Sequence, residues 1–258
     1  MAGKRNFLDL PRELRDLIYE HALQVPGAII IYTKPHQFMG VVWAAKNIRE
    51  KSVGPPEPVP LASVLSTSMM RTCRQFHAEC SPILYGSNNF RLYTPEGDFA
   101  SARYAPLVRH VTLGSSPFAP EALIDPTNGG ADWESKFWPR VVWGCQRLLR
   151  VFPNLQDMTF LLHATGVDGV VYRPYFIDFG NPDRAERVKA TAAWFKERCS
   201  FGNENLRRCL HLQLAPPPPR TSRTEALSPS DYEPWDISEF YEAFELMKEQ
   251  ATSSRLDF

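Results

Sequence analysis

Five cysteines and six histidines are the side chains of this chain best suited to hold a metal or to serve as nucleophile and base. Cys73, Cys80, Cys145, Cys199 and Cys209 are odd in number, widely scattered and include no Cys-x-x-Cys pair, so neither a disulfide framework nor a structural zinc site is expected. The histidines never fall into an HxxxH or HExxH pattern. Cys73, His77 and Cys80 are spaced i, i+4 and i+7, which on a helix puts three potential ligands on one face. The same face carries Leu65, Met69, Phe76 and Leu84, and cysteine is a small residue that is often buried. These three are therefore expected to belong to a core.

Other signatures of catalysis are missing. Asp178 to Gly180 spell the magnesium-binding DFG tripeptide of protein kinases. A kinase also needs a Gly-rich phosphate loop, a strand lysine and an HRD catalytic loop upstream, and the chain has none of them. "FIDFGNP" (176 to 182) reads better as a strand end followed by a turn. No GxSxG elbow, Cys-His context or phosphate-cradling glycine motif occurs. The expectation is a non-catalytic protein with no cofactor and no metal, and a hydrolase assembled from residues without a local signature is the catalytic alternative.

Composition narrows the partners. With 29 Lys+Arg against 29 Asp+Glu in 258 residues, nothing in the net charge argues for nucleic acid or an anionic membrane surface. A hydrophobic share of 43% with 22% charged is ordinary for a globular protein. No apolar run reaches the roughly 18 to 20 residues that span a bilayer, and "MAGKRNFLDLP" meets Pro11 and charges where a signal peptide would stay apolar. An intracellular, cytoplasmic or nuclear protein is expected.

The elements that must position any site begin with "FLDLPRELRDLIYEHAL" (7 to 23). Pro11 suits the first turn of a helix, and Asp9 and Glu13 suit the positive end of its dipole. Leu14, Leu17, Ile18, His21 and Val25 recur at helical spacing, with Arg12, Arg15, Asp16 and Glu20 elsewhere on the wheel, and Pro26-Gly27 stops the helix. A helix of about 15 residues is marginal alone, so its apolar stripe is expected to pack on another element. "AIIIY" (28 to 32) and "FMGVVW" (38 to 43) read as a β-hairpin turning near Pro35, and "KSVGPPEPVP" (51 to 60) as a linker. A second helical pattern runs through Leu65, Met69, Cys73, Phe76 and Cys80. Ser81-Pro82 then restarts a short turn, which Gly86, Asn88 and Asn89 close.

Taken together, "LPRELRDLIYEHAL" and "MMRTCRQFHAECSPILYGSNNF" resemble the divergent F-box-like domains of filamentous fungi, with their LPxELRxxIY block, a variable gap, and a CRQ block that ends in Leu-Tyr-x-x-N-x-F. Leu10, Pro11, Glu13, Leu14 and Ile18 match the first block. Thr72, Cys73, Arg74 and Phe76 match the second, with Thr72 standing where Val is usual. The two blocks cover about 45 residues. The resemblance implies docking on the Skp adaptor of a Skp-cullin-F-box ubiquitin ligase, with Leu10, Pro11, Leu14, Ile18, Cys73 and Phe76 building or supporting the adaptor face. The remaining chain would hold an unidentified protein substrate, and the transfer chemistry would belong to other subunits. An ordinary F-box joins its first two helices by a few residues, whereas Leu23 and Leu61 here flank the hairpin and the linker. The alternative is therefore a non-catalytic interaction or structural domain of the same fold without a ligase link. Whether Leu10, Pro11 and their neighbours are open to solvent or covered by residues 28 to 43 separates the two.

Further on, "LVRHVTL" (107 to 113), "LQDMTFL" (155 to 161) and "LRRCLHL" (206 to 212) form a weak repeat, each unit opening on Leu. Helical patterns over 132 to 151, with Pro139 marking a kink or a start, and over 183 to 199 lie between them. Strand, loop and helix in alternation imply parallel strands. "FPNLQDMTF" is similar to the strand entry of leucine-rich repeats, but three units longer than the usual 20 to 29 residues make an irregular stack. Residues 215 to 235 are rich in Pro and Ser and read as a mobile loop. Ile237, Phe240, Tyr241, Phe244 and Met247 predict a last helix over 236 to 250 that folds back onto the stack. The expected fold is thus mixed α/β. F-box-like helices with an inserted β-hairpin occupy 1–93, a leucine-rich-repeat-like strand-helix stack 94–214, a loop 215–235, and a helix with its tail 236–258.

Overall fold

A computed structural model describes residues 6–25, 27–31, 46–49, 57–60, 65–92, 99–114, 133–162, 180–214 and 238–253. The chain enters through one 3-10 turn, Phe7–Asp9, where the Asn6 backbone N–H donates to Asp9 Oδ2 at 2.7 Å. Helix α1 spans Arg12–Leu23 with Pro11 at its N-cap. It ends before Val25, and the turn that follows uses Gly27 at φ +95°, a backbone region that glycine reaches without strain.

Strand β1 (Ala28–Ile31) pairs antiparallel with β2 (Lys46–Arg49), and β2 with β3 (Glu57–Pro60). This corrects two expectations. The antiparallel partner of 28 to 31 is 46 to 49 and not 38 to 43, which lies outside the described residues together with the turn at Pro35. The end of the Pro-rich stretch is a strand and not a linker. Pro58 and Pro60 cannot donate to a ladder, and β3 sits at the sheet edge, where that loss is tolerated.

The second helical block also differs from its pattern. A 3-10 stretch, Thr67–Arg71, precedes helix α2 (Arg74–Gly86), and Cys73 is the N-cap between them. The helical spacing of Cys73, His77 and Cys80 is broken there, so Cys80 is buried while Cys73 is exposed. Helix α2 continues through Pro82 without the expected restart. The carbonyl left without that N–H belongs to exposed Ala78, and Ser81 Oγ donates to His77 O at 2.6 Å beside it.

Four further strands, β4 (Asn89–Leu92), β5 (His110–Gly114), β6 (Asp157–Leu162) and β7 (Leu210–Leu214), complete a sheet of order β3-β2-β1-β4-β5-β6-β7. From β1 to β7 its neighbours are parallel. The boundary expected at residue 93 falls between the paired strands β4 and β5, so the sheet is continuous across it. The three repeated segments do become parallel strands. Each starts two to four residues after its leading leucine, because Leu155 and Leu206 are buried just ahead of the strands and Leu206 belongs to a short helix.

Period-2 alternation divides the sheet. Phe90, Leu92, Val111, Leu113, Met158, Phe160, Leu210 and Leu212 share one face by register and are buried. Against it pack α3 (Trp138–Val151, entered through a π-turn at Trp133–Phe137), α4 (Arg184–Arg198, capped by Asp183), α5 (Glu204–Cys209) and α6 (Ser238–Ser253). Pro139 lies in the first turn of α3, so it marks a start and not a kink. Helix α6 returns to this core as its spacing predicts, with Phe240 and Phe244 each 5.4 Å from the Phe195 ring. Ile237, the loop at 215–235 and most of "FIDFGNP" lie outside the described residues.

Candidate functional site

Helices α1 and α2 build a small second core of their own around Tyr19, Leu23, Met70 and Cys80, with Phe7 and Phe76 packed against it. Phe7 and Phe76 stack at 5.1 Å, and Tyr19 meets Phe76 edge-on at 5.8 Å. Aromatic contacts of this kind add to plain area burial.

A polar cluster locks the two helices together. Arg15 donates from Nε and Nη2 to the two carboxylate oxygens of Glu79 at 3.0 and 2.8 Å, and from Nη1 to Leu8 O at 3.1 Å and Leu10 O at 2.6 Å. Tyr19 Oη and Gln75 Nε2 also donate to Glu79, at 2.8 and 3.0 Å. Both charges of the pair are buried, and the forked geometry, with further donors on both Glu79 oxygens, is what makes such burial tolerable. Hydrogen bonds from Arg15 hold the Glu79 carboxyl down at about 2, aided by those from Gln75 and Tyr19 and opposed by desolvation. Burial and the hydrogen bond to Glu79 push the Tyr19 phenol up. The Arg15 bonds to Leu8 and Leu10 also fix the Leu10-Pro11 corner relative to α1.

The far ends are joined by Asn88, which is buried. Its Oδ1 accepts from Val25 N at 2.9 Å, and its Nδ2 donates to Leu23 O at 2.8 Å and Leu84 O at 2.9 Å. One side chain thus caps the C-terminal ends of both helices.

Helix α1 therefore buries Arg15, Tyr19 and Leu23, spaced i, i+4 and i+8, and not the apolar stripe that its spacing singled out. Leu14, Leu17 and Ile18 stand outward, 47%, 61% and 41% exposed. His21 is exposed too. Of the residues expected to build the adaptor face, Leu14 and Ile18 form this outward ridge, Pro11 is exposed at its start and Leu10 is half-buried. Cys73 is exposed at the entry to α2, where its Sγ accepts from Phe76 N. Phe76 is half-buried in the small core beneath and is not part of the ridge.

Residue spacing left Arg15, Tyr19 and Glu79 without a role and read Asn88 only as closing a turn. The available signal was a pair of polar i, i+4 couples, Arg15 with Tyr19 and Gln75 with Glu79, one in each block. A hydrophobic wheel discards such residues as solvent-facing.

The buried Cys80 thiol is not prepared as a nucleophile. Burial and the neighbouring Glu79 push the Cys80 thiol up to about 11, and a thiol that stays protonated attacks poorly. His77 is tied to Met70 O at 3.1 Å and to Tyr104 Oη at 2.5 Å. Among the described residues no group of three or more His, Cys, Asp or Glu is placed to hold a metal, and no helix is long and apolar enough to cross a membrane. No protein-family model, no curated protein and no solved structure matches the chain.

Proposed function

We propose that this protein is an F-box-like substrate receptor of a Skp-cullin-F-box ubiquitin ligase, docking on the Skp adaptor through α1 and the entry to α2. The observation that carries the reading is the ridge of Leu14, Leu17 and Ile18, open to solvent beside exposed Pro11. Anchors at i, i+3 and i+4 on one helix suit insertion into an apolar groove of a partner. Leu10 is held at the foot of the ridge by the Arg15 bonds, Cys73 lies at the second block, and Phe76 supports both helices from within. The α/β region would hold the protein substrate. Its parallel strands β4 to β7 follow one another in chain order, and β5, β6 and β7 each start behind a leucine, which supports an irregular leucine-rich-repeat-like stack. On this reading the chain is non-catalytic.

A second reading, an interaction domain with no ligase link, draws on β1 to β3, which part the two blocks in sequence and join the sheet instead of the helices. Co-purification with the Skp adaptor distinguishes the two. Wild type should retain the adaptor and Leu14→Asp/Ile18→Asp should lose it, with superimposable circular dichroism melts because both side chains already face water. A folded wild type that never retains the adaptor, or a double variant that keeps it, overturns the first reading.

A further inference from the structure

The outward ridge of α1 includes one side chain that can change its charge. His21 follows Leu14, Leu17 and Ile18 at i+7, i+4 and i+3, so it continues their line along the same side of the helix. Like them it is exposed, and it lies in the last turn of α1. Among the described residues its imidazole makes no hydrogen bond, ion pair or ring contact. The charged groups around it are engaged elsewhere or stand off the ridge line. On α1, Arg12 pairs with Asp16 at 2.7 Å and Arg15 is held by Glu79, while Glu13 and Glu20 point away from the line of Leu14 and His21 by helical spacing. Of the elements packed on α1, the entry turn brings Asp9, which is bonded to Asn6 N. The 3-10 stretch Thr67–Arg71 brings Arg71, and α2 brings Arg74, His77 and Glu79. His77 is bonded to Met70 O and Tyr104 Oη, and none of these groups is bonded to His21.

We infer that His21 makes docking through α1 proton-sensitive: the neutral imidazole enters the adaptor groove with Leu14, Leu17 and Ile18, and the imidazolium keeps the helix out. The inference rests on the adaptor reading and adds a regulation of the same surface. Imidazole is the side chain whose charge changes between pH 5 and 8. A groove that takes three aliphatic anchors is apolar, and moving a charge into it from water is costly unless an opposite charge meets it there. Among the described residues this chain supplies no such charge to His21. The helix pair beneath does not change over the same range, because the Glu79 carboxyl sits at about 2 and stays ionised above pH 4.5. Acidification therefore acts on the ridge and not on its support.

The test is titration calorimetry of the full chain with the purified Skp adaptor at pH 7.5, 6.5 and 5.5. A group with the ordinary titration of histidine that must be neutral to bind costs about tenfold in affinity over that range, so the wild-type Kd should rise about tenfold. His21→Gln, polar and uncharged at every pH, should lose that rise, which separates His21 from titrating groups of the adaptor. His21→Lys, charged throughout, should bind about tenfold more weakly than wild type at pH 7.5. Circular dichroism melts of both variants should match wild type, because the side chain they replace is exposed. A wild-type Kd that is flat or falls on acidification, an acid loss that His21→Gln retains, or wild-type affinity in folded His21→Lys overturns the inference and leaves adaptor docking standing. A wild type that does not bind the adaptor at pH 7.5 overturns both.

Discussion

Replacing Asn88 by alanine should loosen the N-terminal helix pair more than its small size suggests. The side chain is 1% exposed and makes three hydrogen bonds, all to backbone groups and all at 2.8 to 2.9 Å. Each is worth about 0.5 to 1.5 kcal/mol net, so Asn88→Ala should cost roughly 3 kcal/mol of a total that is typically about 5 to 15 kcal/mol. For a chain of this size that is a fall in Tm of about 6 to 12 °C. Asn88→Asp sharpens the test. Its carboxylate keeps the bond from Val25 N but faces Leu23 O and Leu84 O with one acceptor oxygen in place of two N–H donors. At neutral pH it should cost at least as much as alanine. Acidification restores one O–H donor, so the deficit relative to wild type should shrink as pH falls through the carboxyl's titration. Urea unfolding followed by far-ultraviolet circular dichroism, from pH 7 down to pH 4, reads both effects. A loss in Asn88→Ala within about 0.5 kcal/mol of zero, the range of an ordinary surface change, refutes the idea that one side chain joins the two helix ends. So does an Asn88→Asp variant that tracks Asn88→Ala at every pH.

The Arg15 and Glu79 pair should make the protein acid-sensitive in a defined window. The Glu79 carboxyl sits at about 2 against an ordinary 4.5, so its contribution is complete above pH 4.5 and is lost as pH falls from there towards 2. Tm measured across that window should fall less steeply in Glu79→Gln than in wild type, and parallel curves would refute the assignment. Thiol labelling offers a second check. Cys73 is exposed while Cys80, Cys145, Cys199 and Cys209 are buried, and burial also pushes the Cys80, Cys145 and Cys209 thiols up. A disulfide reagent should therefore modify one thiol quickly in the native protein and five after unfolding, and Cys73→Ser should abolish the fast reaction. Fast modification of two or more native thiols would contradict the burial of Cys80 in the small core or of Cys145, Cys199 and Cys209 in the main one.

Much of the strand and helix pattern of the α/β part could be read from residue order because it depends on near neighbours in sequence. Helix α4 starts at Arg184, one residue inside the 183 to 199 pattern, with Asp183 Oδ1 accepting from Ala185 N at 2.8 Å as its cap. Helix α6 folds back on the side where Phe240, Phe244 and Met247 recur. The N-terminal half was less legible. Cys73 looked like the first residue of a helical trio, but a capping residue and a helical one can share the same spacing, and the 3-10 stretch before it shifts the phase. Pro58 and Pro60 looked like linker residues, and only the edge position of β3 makes them acceptable in a sheet.

Periodicity by itself determined that α1 is amphipathic and that α6 has one apolar side, and the alternation of strand, loop and helix that three leucine-led segments are parallel strands. These are statements about which residues share a face. What covers each face was decided by the tertiary structure. The α1 stripe of Leu14, Leu17 and Ile18 is left in water because Arg15 and Tyr19 find Glu79, 64 and 60 residues away. A buried charge is stable only with such a partner in place. No local pattern encodes that partner, since the ion pair and its supporting hydrogen bonds exist only after the two blocks have met.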